Sequence, residues 1–394
     1  MGRPRKSEDE DILCGWKKIA THLNCSAKSA MRKEKAENLP VFRLNNSPKS
    51  SVFASKRALN AWLKHGIESA ILVDNELVAF GRQAKILWSH EFQDPLSRLT
   101  KEELEWRLRI VDLRGDGNRG VLIVAHFLNS NTPDRVLYFS PDGEIKWDLE
   151  PKPALQKSTG EPFEDAWVVK HLVTVPEKIG HALYLAMANA AGWGGCVLRV
   201  DTFGKSVLQF ANSGYVEQLC SVAMPDDRLL VACGENNDFD CAFVALLGLD
   251  DLCSCSIPGL RTVYRYANAP VEMPRKYILF PKTELNIARK MPYGHARRIR
   301  QYQDRIIVEV ETGGDGGTFL YHFTDLLEPI YVFPSGSHEF THQALEATGA
   351  VRHSWRECPE RNKPLLLQIW TRNSGWQMQE VNWRDQPWKD DRAE

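Results

Sequence analysis

The chain has 394 residues, of which 43% are hydrophobic and 10% aromatic, so it is long enough for two domains and its composition excludes a disordered chain. The formal net charge of −1 conceals an uneven distribution: residues 1–66 carry 14 Lys and Arg against 6 Asp and Glu, and the remainder carries 36 against 45. A basic N-terminal part on an acidic body predicts that only the N-terminal part meets a polyanion.

The nine cysteines form no C-x-x-C pair, and an odd number leaves at least one unpaired, which favours a reducing compartment. No run of about 18 apolar residues is present, so the sequence predicts no membrane span. No apolar segment follows the basic residues of the amino terminus, so it predicts no signal peptide either. The expected location is the cytoplasm.

Residues 1–11 are predicted to form a flexible basic arm. The stretch Gly2-Arg3-Pro4-Arg5-Lys6 resembles the core with which AT-hook peptides lie in a narrow minor groove of DNA. This resemblance implies that Arg3 and Arg5 contact DNA.

The next segment predicts two short helices joined by a tight turn. Apolar residues recur at helical spacing at Trp16, Ile19, Ala20 and Leu23. Ser26 is predicted to cap the second helix. On that helix the residues predicted to face the core are Ala27, Ala30 and Met31, and those predicted to lie elsewhere are Lys28, Ser29, Arg32, Lys33 and Lys35.

A hairpin and a last helix are predicted to follow. Leu39-Pro40 ends the second helix, because proline cannot continue it. Residues 41–44 and 51–54 are predicted to form two strands around a turn at residues 45–49. Leu59, Trp62 and Leu63 give the last helix its apolar face. This order of elements predicts a winged helix-turn-helix domain over residues 12–66.

The charges of this segment predict that it binds double-stranded DNA. From Ser26 to Arg57 there are eight Lys and Arg, opposed only by Glu34 and Glu37. Cations on one surface supply phosphate contacts, and a second helix of this kind reads base edges in the major groove. The predicted DNA-contacting residues are Arg3, Arg5, Lys17, Lys28, Ser29, Arg32, Lys33, Arg43, Asn45 and Lys49. The alternative is a small basic helical domain that binds protein.

The same segment resembles a group of bacterial winged helices related to the MerR and excisionase domains. The resemblance covers roughly residues 12–65 and rests on Trp16-Lys17-Lys18-Ile19-Ala20, Cys25-Ser26, Arg32, Glu34-Lys35, Leu39-Pro40-Val41 and Val52-Phe53-Ala54. In that group a tryptophan usually stands where Lys33 is, and a glycine where Asn38 is. The resemblance implies the winged-helix fold, for which regulation of transcription is the simplest function, and proteins of this kind commonly bind DNA as homodimers.

Residues 67–385 change to short apolar or alternating runs separated by Gly, Asn, Asp and Pro. The predicted strands are residues 70–73, 77–80, 86–88, 108–111, 121–125, 136–139, 167–170, 183–186, 197–200, 229–232, 243–246, 277–280, 306–310, 319–322 and 365–370. Many short strands predict a sandwich, a barrel or a propeller, and the length favours a β-propeller of about seven blades. Residues 77–87, 136–145 and 197–207 repeat one hairpin pattern, which supports an internal repeat. Residues 386–394 are predicted to form a polar tail.

The stretch Asp112-Leu113-Arg114-Gly115-Asp116-Gly117-Asn118 resembles the D-x-D-G-D-G loop of FG-GAP or VCBS-type propeller repeats. In those repeats the aspartates bind calcium through oxygen ligands. The resemblance implies Asp112, Asp116 and Asn118 as metal ligands. Arg114 replaces a ligand, and Gly120 stands where an acidic residue commonly helps, so a loop held by hydrogen bonds is the preferred interpretation. Residues 234–238 and 335–340 also resemble positions in proteins that join such a winged helix to such a propeller.

No motif for a nucleophile elbow, a Walker loop or an H-E-x-x-H zinc site occurs, so the sequence predicts no enzyme and no cofactor. His338 and His342, four residues apart, could pair as metal ligands on a helix, although two such histidines are more often surface residues. The predicted function is a transcriptional regulator whose propeller binds a protein or a small ligand. Two alternatives remain: a propeller scaffold tethered to DNA without sequence preference, and an enzyme with acidic or histidine side chains converging on the propeller axis.

Overall fold

A computed structural model describes residues 12–23, 25–37, 39–43, 51–56, 58–59, 66–129, 132–163, 166–189, 193–224, 227–259, 261–291, 294–312 and 317–384. The predicted basic arm with Arg3 and Arg5, the hairpin turn with Asn45 and Lys49, and the predicted polar tail lie outside the described residues.

The N-terminal domain packs two helices on a small sheet. The helices are α1 (Trp16–His22) and α2 (Ala27–Glu37), and the strands are β1 (Ile12–Cys14), β2 (Phe42–Arg43) and β3 (Val52–Ser55). The antiparallel order is β1-β3-β2, so the predicted hairpin is present and a strand that was not predicted extends it. The core of this domain consists of Ile19, Ala20, Leu23, Ala30, Leu39, Val52, Ala54 and Leu59.

Two local details of the helices follow from side-chain chemistry. The backbone N–H of Ser29 donates to Ser26 Oγ at 3.1 Å, which is the predicted cap at the start of α2. Met31 was predicted to face the core, but its side chain is 42% exposed. Ala30 is buried in the core and Ala27 packs against it, since small residues let the two helices approach closely.

The rest of the chain is mainly β, and every predicted strand is present. The strands are β4 (Ser69–Val73), β5 (Glu76–Phe80), β6 (Ile86–Glu91), β7 (Leu108–Val111), β8 (Gly120–Ala125), β9 (Arg135–Phe139), β10 (Ile145–Leu149), β11 (Trp167–Pro176), β12 (His181–Asn189), β13 (Gly194–Val200), β14 (Ser206–Asn212), β15 (Val216–Ala223), β16 (Arg228–Asn236), β17 (Cys241–Gly248), β18 (Ser254–Cys255), β19 (Lys276–Leu279), β20 (His295–Tyr302), β21 (Arg305–Glu311), β22 (Thr318–Thr324), β23 (Pro329–Pro334), β24 (Leu365–Thr371) and β25 (Gly375–Val381). The helices are α3 (Lys101–Arg107), α4 (Glu284–Ala288), α5 (Gly336–Ala347) and α6 (Pro359–Asn362).

These strands form five open sheets. In order of their first strand the sheets are β4-β5-β6, β10-β9-β8-β7, β11-β12-β13-β14-β18, β15-β16-β17-β19-β24-β25 and β20-β21-β22-β23. Apart from the parallel pair β14 and β18, neighbouring strands run antiparallel. The fifth sheet is inserted into the fourth, between β19 and β24. The expectation of about seven blades is therefore not met in the described residues, because residues 335–364 form helices and loops and the fourth sheet takes up six strands.

Each sheet packs face to face on the next one in the chain. Strand β8 shows how the sequence achieves this, because all six of its residues are buried. Val121 and Ile123 belong to the core shared with the first sheet, whereas Leu122 and Val124 belong to the core shared with the third. Alternate residues of a strand point to opposite faces, so a continuous apolar run serves two cores.

A repeated tryptophan contact joins the first three sheets. Trp88 Nε1 donates to the Pro141 carbonyl at 3.1 Å, and Trp147 Nε1 donates to the Thr202 carbonyl at 3.2 Å. Each ring lies over the glycine of the next hairpin turn, where a Cβ on Gly143 or Gly204 would lie 2.7 or 2.8 Å from the ring. Both glycines have a positive φ, which side chains rarely adopt. The hairpin repeat predicted from the sequence is thus a structural repeat.

Candidate functional site

The predicted DNA-contacting residues of α2 lie on one side of the helix. Lys28 and Arg32 are exposed, and Ser29 and Lys33 are half-buried. Residues four apart on a helix share a face, so these side chains form one surface, which we call the α2 face. Lys17 on α1 is also exposed.

Arg43, which the sequence predicts to contact phosphate, is paired with a carboxylate of the same domain. Both terminal nitrogens of its guanidinium donate to the Glu34 carboxylate, one of them at 3.1 Å from Oε2, and the group lies 5.9 Å from the centre of the Trp16 ring. The hydrogen bond to Glu34 raises the pKa of Arg43. Arg43 therefore ties β2 to α2, and a DNA contact through it stays a prediction.

The predicted calcium-type loop closes on itself. Asp112 accepts the backbone N–H of Asp116 at 3.2 Å on one carboxylate oxygen and that of Gly117 at 2.7 Å on the other. Asp116 accepts the N–H of Asn118 at 2.9 Å. The hydrogen bonds agree with the preferred interpretation of this loop, and calcium binding stays a prediction.

A polar cavity of about 550 Å³ lies where the first strands of four sheets converge. Its wall is formed by α3 and by β7, β11, β15 and β20, which are the first strands of the second to fifth sheets. The side chains on these strands include Arg109, Lys170, Glu217 and Arg297. We call this feature the central cavity.

Most charges in the central cavity are matched. Glu217 lies 3.3 Å from Lys170 Nζ and 3.4 Å from Arg297 Nη1. Arg298 Nη2 donates to Glu102 at 2.7 Å, which joins the fifth sheet to α3. These pairs hold strands from different sheets in position around the cavity.

Two arginines depart from this pattern. Arg107 is only 5% exposed and stacks on Trp106 at 4.3 Å, and its Nη2 makes a long hydrogen bond of 3.4 Å to the Val169 carbonyl. Its Nε and Nη1, and the Nε of Arg109, are buried with no hydrogen-bond partner among the described residues. Burial lowers the pKa of both arginines. Buried N–H groups are normally paired with protein or with ordered water, so an acceptor from outside the described residues can bind these donors.

Two histidines of the cavity have defined partners. Burial, assisted by Arg109, lowers the pKa of His171 to about 3, so this ring is neutral near neutral pH. Its Nδ1 accepts the Leu219 N–H at 3.4 Å, which leaves the proton on Nε2. His126 lies 2.6 Å from buried Asp134, whose other oxygen accepts the Val169 N–H at 2.8 Å.

Sequence reasoning did not identify this cavity, and only α3 carried a signal for it. Thr100 and Glu103 form a capping box, in which Thr100 Oγ1 accepts the Glu103 N–H at 3.2 Å and Glu103 accepts the Thr100 N–H at 2.8 Å. A threonine followed three residues later by a glutamate is the sequence signature of such a start. It places Trp106 and Arg107 one to two turns later, at the cavity wall.

Within the described residues, no helix combines the length and the apolarity that crossing a membrane requires.

No family model matches the sequence, and no curated protein matches it. Three solved structures that it resembles are a eukaryotic initiation factor, the Dos1 propeller, and BBS1N in complex with ARL6DN, each with a TM-score of 0.32. Their sequences are 10%, 11% and 9% identical to this one over 80%, 69% and 79% of this chain. The matches cover 63%, 63% and 87% of those chains, so this chain spans less than two thirds of the first two.

Proposed function

We propose that this chain is a DNA-binding transcriptional regulator whose β domain is a propeller that binds a small anionic ligand. The observation that carries the proposal is the α2 face, where Lys28, Ser29, Arg32 and Lys33 lie together and Ala30 is buried on the side towards α1. Ala30 is buried in the core whereas Lys28 and Arg32 are exposed, so these two cations can contact a polyanion.

The geometry of the N-terminal domain supports a winged helix-turn-helix. Helix α2 starts at the Ser26 cap directly after α1, as a recognition helix does, and the antiparallel hairpin of β2 and β3 follows it. In such domains the recognition helix lies in the major groove. There Arg and Lys donate hydrogen bonds to guanine, and Ser forms hydrogen bonds with several bases. Lys28 and Arg32 are the proposed base or phosphate contacts, and the hairpin is the proposed wing.

The order of the sheets supports a propeller. Five sheets pack on one another in chain order, and the first strands of four of them line the central cavity, as blades do around an axis. The proposed ligand is anionic because Arg107 and Arg109 offer buried N–H donors. A carboxylate or phosphate group would pair these donors and compensate for the desolvation of the two guanidinium groups.

The chain is proposed to bind its ligand rather than to transform it. His171 and His126 converge on the cavity, as the enzyme alternative requires, but Leu219 and Asp134 hold one nitrogen of each ring. The scaffold alternative, in which the N-terminal domain tethers a propeller to DNA, differs from the regulator in sequence preference alone.

Selection of bound fragments from a random duplex pool, at about 150 mM salt, tests the proposal. The proteins compared are the wild type, a Lys28→Ala/Arg32→Ala variant, and a Lys152→Ala/Lys178→Ala control that removes two exposed cations from the β domain. We expect an enriched site with the wild type and the control and no enrichment with the α2 variant. A palindromic site would indicate a dimer. Equal recovery of all sequences by all three proteins would overturn the regulator and leave the scaffold.

A further inference from the structure

Four side chains that bind transition metals meet between α4, α5 and α6. Glu284 is the first residue of α4, His342 lies in α5, and His353 and Cys358 belong to the segment between α5 and α6. One donor atom of each lies within 4.8 Å of the other three. His342 and Cys358 have no exposed surface.

We propose that these four residues hold a zinc-class divalent metal ion. Three of the six separations between the donor atoms lie near those of a tetrahedral shell: His342 Nε2 lies 3.3 Å from His353 Nε2, which lies 3.0 Å from Glu284 Oε2, and that oxygen lies 3.7 Å from Cys358 Sγ. With Zn–N and Zn–O distances of about 2.0–2.1 Å and a Zn–S distance of about 2.3 Å, tetrahedral edges are about 3.3–3.6 Å. The two imidazole nitrogens therefore lie at the spacing that one shared ion requires.

Hydrogen bonding among the four groups is a poor substitute for an ion. One proton shared between the two Nε2 atoms satisfies one nitrogen as a donor and the other as an acceptor, and Glu284 Oε2 also faces His353 Nε2. The two ring nitrogens and the Glu284 oxygen thus have one proton between them. A divalent cation satisfies all of them, and with one carboxylate and one thiolate its charge is neutralised in a buried place.

The ligand set determines the class of metal. Imidazole and thiolate select zinc-class ions, whereas calcium and magnesium prefer oxygen ligands. Four protein ligands close the coordination shell, which is typical of a structural site and not of a catalytic one. The backbone N–H of Glu284 donates to the Glu360 carboxylate, so α6 also positions the first residue of α4.

The location explains what the ion would do. Residues 335–363 are an insertion between β23 and β24, and they contribute no strand to the described sheets. Glu284 belongs to the segment that follows β19, so a metal bond from it to His342 and Cys358 would cross-link the insertion to the connection between the fourth and fifth sheets. The ion would stabilise this corner of the β domain.

The structure pairs His342 with a different histidine from the one that the sequence suggests as its fellow metal ligand. His338 and His342 were expected to be surface residues, but both are fully buried because α5 packs on β22 and β23. His338 Nδ1 lies 3.2 Å from Thr312 Oγ1, and its ring packs on Phe319 at 4.2 Å, so it faces away from the cluster. The histidine that joins His342 is His353, eleven residues later.

Titration of the metal-free full-length chain with Co²⁺, and metal analysis after growth with Zn²⁺, test the site. We expect one ion per chain, with the intense visible absorption of tetrahedral cobalt and a thiolate charge-transfer band in the near ultraviolet. Removing an outer hydrogen-bond partner of a metal site lowers affinity by about 10–100-fold, so Cys358→Ser and His342→Gln should lower it by more than about 100-fold. The matched controls are His338→Gln, a buried histidine of the same helix, and Cys253→Ser, a thiol elsewhere.

The wild-type spectrum does not depend on whether a variant folds. A cobalt spectrum without a thiolate band would overturn the site. It would also be overturned if the wild type took up less than one ion per chain and a chelator did not change its thermal unfolding. Equal uptake by Cys358→Ser and by Cys253→Ser would also overturn it. Loss of the band in Cys358→Ser with retention in both controls would establish these ligands.

Discussion

The cations of the α2 face and those of the central cavity have the same chemistry in opposite environments. Lys28 and Arg32 are exposed and four residues apart on one helix, whereas Arg107 and Arg109 lie in the wall of a cavity formed by four sheets. An exposed cation acts through counterion release, and its contribution falls with salt. A buried cation has already lost its hydration, so it favours one anion in one geometry. The comparison teaches that charge alone does not assign a partner, since burial decides between a polyanion and a small ligand.

The largest expected effect concerns the exposed side of this comparison. Lys28→Ala/Arg32→Ala should lower affinity for the selected DNA site by about 100-fold, because contacts of this kind contribute about 1–3 kcal/mol each. The slope of log affinity against log salt should fall by about two. Fluorescence anisotropy over a salt series measures both.

The control for this change is Lys152→Ala/Lys178→Ala, which alters the net charge equally. If the control lost as much affinity as the α2 variant, the overall charge and not the α2 face would bind DNA. Neither variant should change the thermal unfolding midpoint appreciably, since exposed substitutions stay within about 0.5 kcal/mol.

Replacing a buried arginine of the central cavity should increase the stability of the free protein, whereas replacing the exposed cations should leave it unchanged. Arg107→Met should stabilise the free protein by about 1–3 kcal/mol, because an apolar side chain replaces a desolvated guanidinium that has two unpaired nitrogens. The buried carboxylate of Asp134, whose charge interacts with Arg107, keeps its contacts to His126 and to the Val169 N–H in this variant. The same substitution should abolish stabilisation by inorganic phosphate, which for a ligand at 100 times its Kd amounts to about 2.7 kcal/mol. Thermal unfolding with and without phosphate measures both effects.

Arg32→Met is the matched control, since it removes an exposed guanidinium and should leave stability within about 0.5 kcal/mol. Phosphate that stabilised the wild type and Arg107→Met equally would show that the cavity arginines do not receive the anion. A destabilised Arg107→Met would show that its contacts to Trp106 and Val169 outweigh its desolvation.

The residues of the α2 face could be predicted from the sequence because they lie close together in it. The Ser26 cap, the alanine crossing and the cations lie within one helix, and helical periodicity connects them directly. The strands were equally accessible, since a run such as residues 120–125 that is buried on both faces is apolar throughout. Strand β1 was missed because three residues carry no usable periodicity. The strands β15, β18, β20, β23 and β25 were not predicted either.

The central cavity and the metal cluster depend on which sheets meet. Arg109 and Arg297 line one cavity although they belong to different sheets, and no local pattern records that proximity. Glu284 likewise meets Cys358 only because the fifth sheet is inserted into the fourth. Long-range topology of this kind is set by the packing of whole sheets, so residue spacing alone does not determine it.

A smaller effect on the free energy of unfolding is expected from pH, through His171 of the central cavity. The pKa of His171 is about 3 in the folded protein, below its ordinary value of 6.5, so the unfolded chain binds the proton first. The stability associated with the neutral ring is complete above about pH 6.5 and is lost as pH falls towards 3, by up to about 1.4 kcal/mol per pH unit. His171→Asn keeps an acceptor for the Leu219 N–H and removes this titration. Urea unfolding at about pH 7 and about pH 5 should therefore give a steeper loss for the wild type, and parallel curves would contradict the assignment.

The smallest effect tests whether the β domain is stabilised independently of the N-terminal domain. Trp147→Phe keeps a ring over Gly204 but removes the hydrogen bond to the Thr202 carbonyl, so it should lower the free energy of unfolding by about 1 kcal/mol. Trp193→Phe is the matched control, because that side chain is 51% exposed and lies outside the repeated contact. Calorimetry of both variants should shift the β-domain transition for Trp147→Phe alone, while DNA affinity stays unchanged for both. A change of DNA affinity in Trp147→Phe would mean that the N-terminal domain and the β domain are energetically coupled. The exposed cations of α2 and the buried cations of the central cavity would then lie in one cooperative unit.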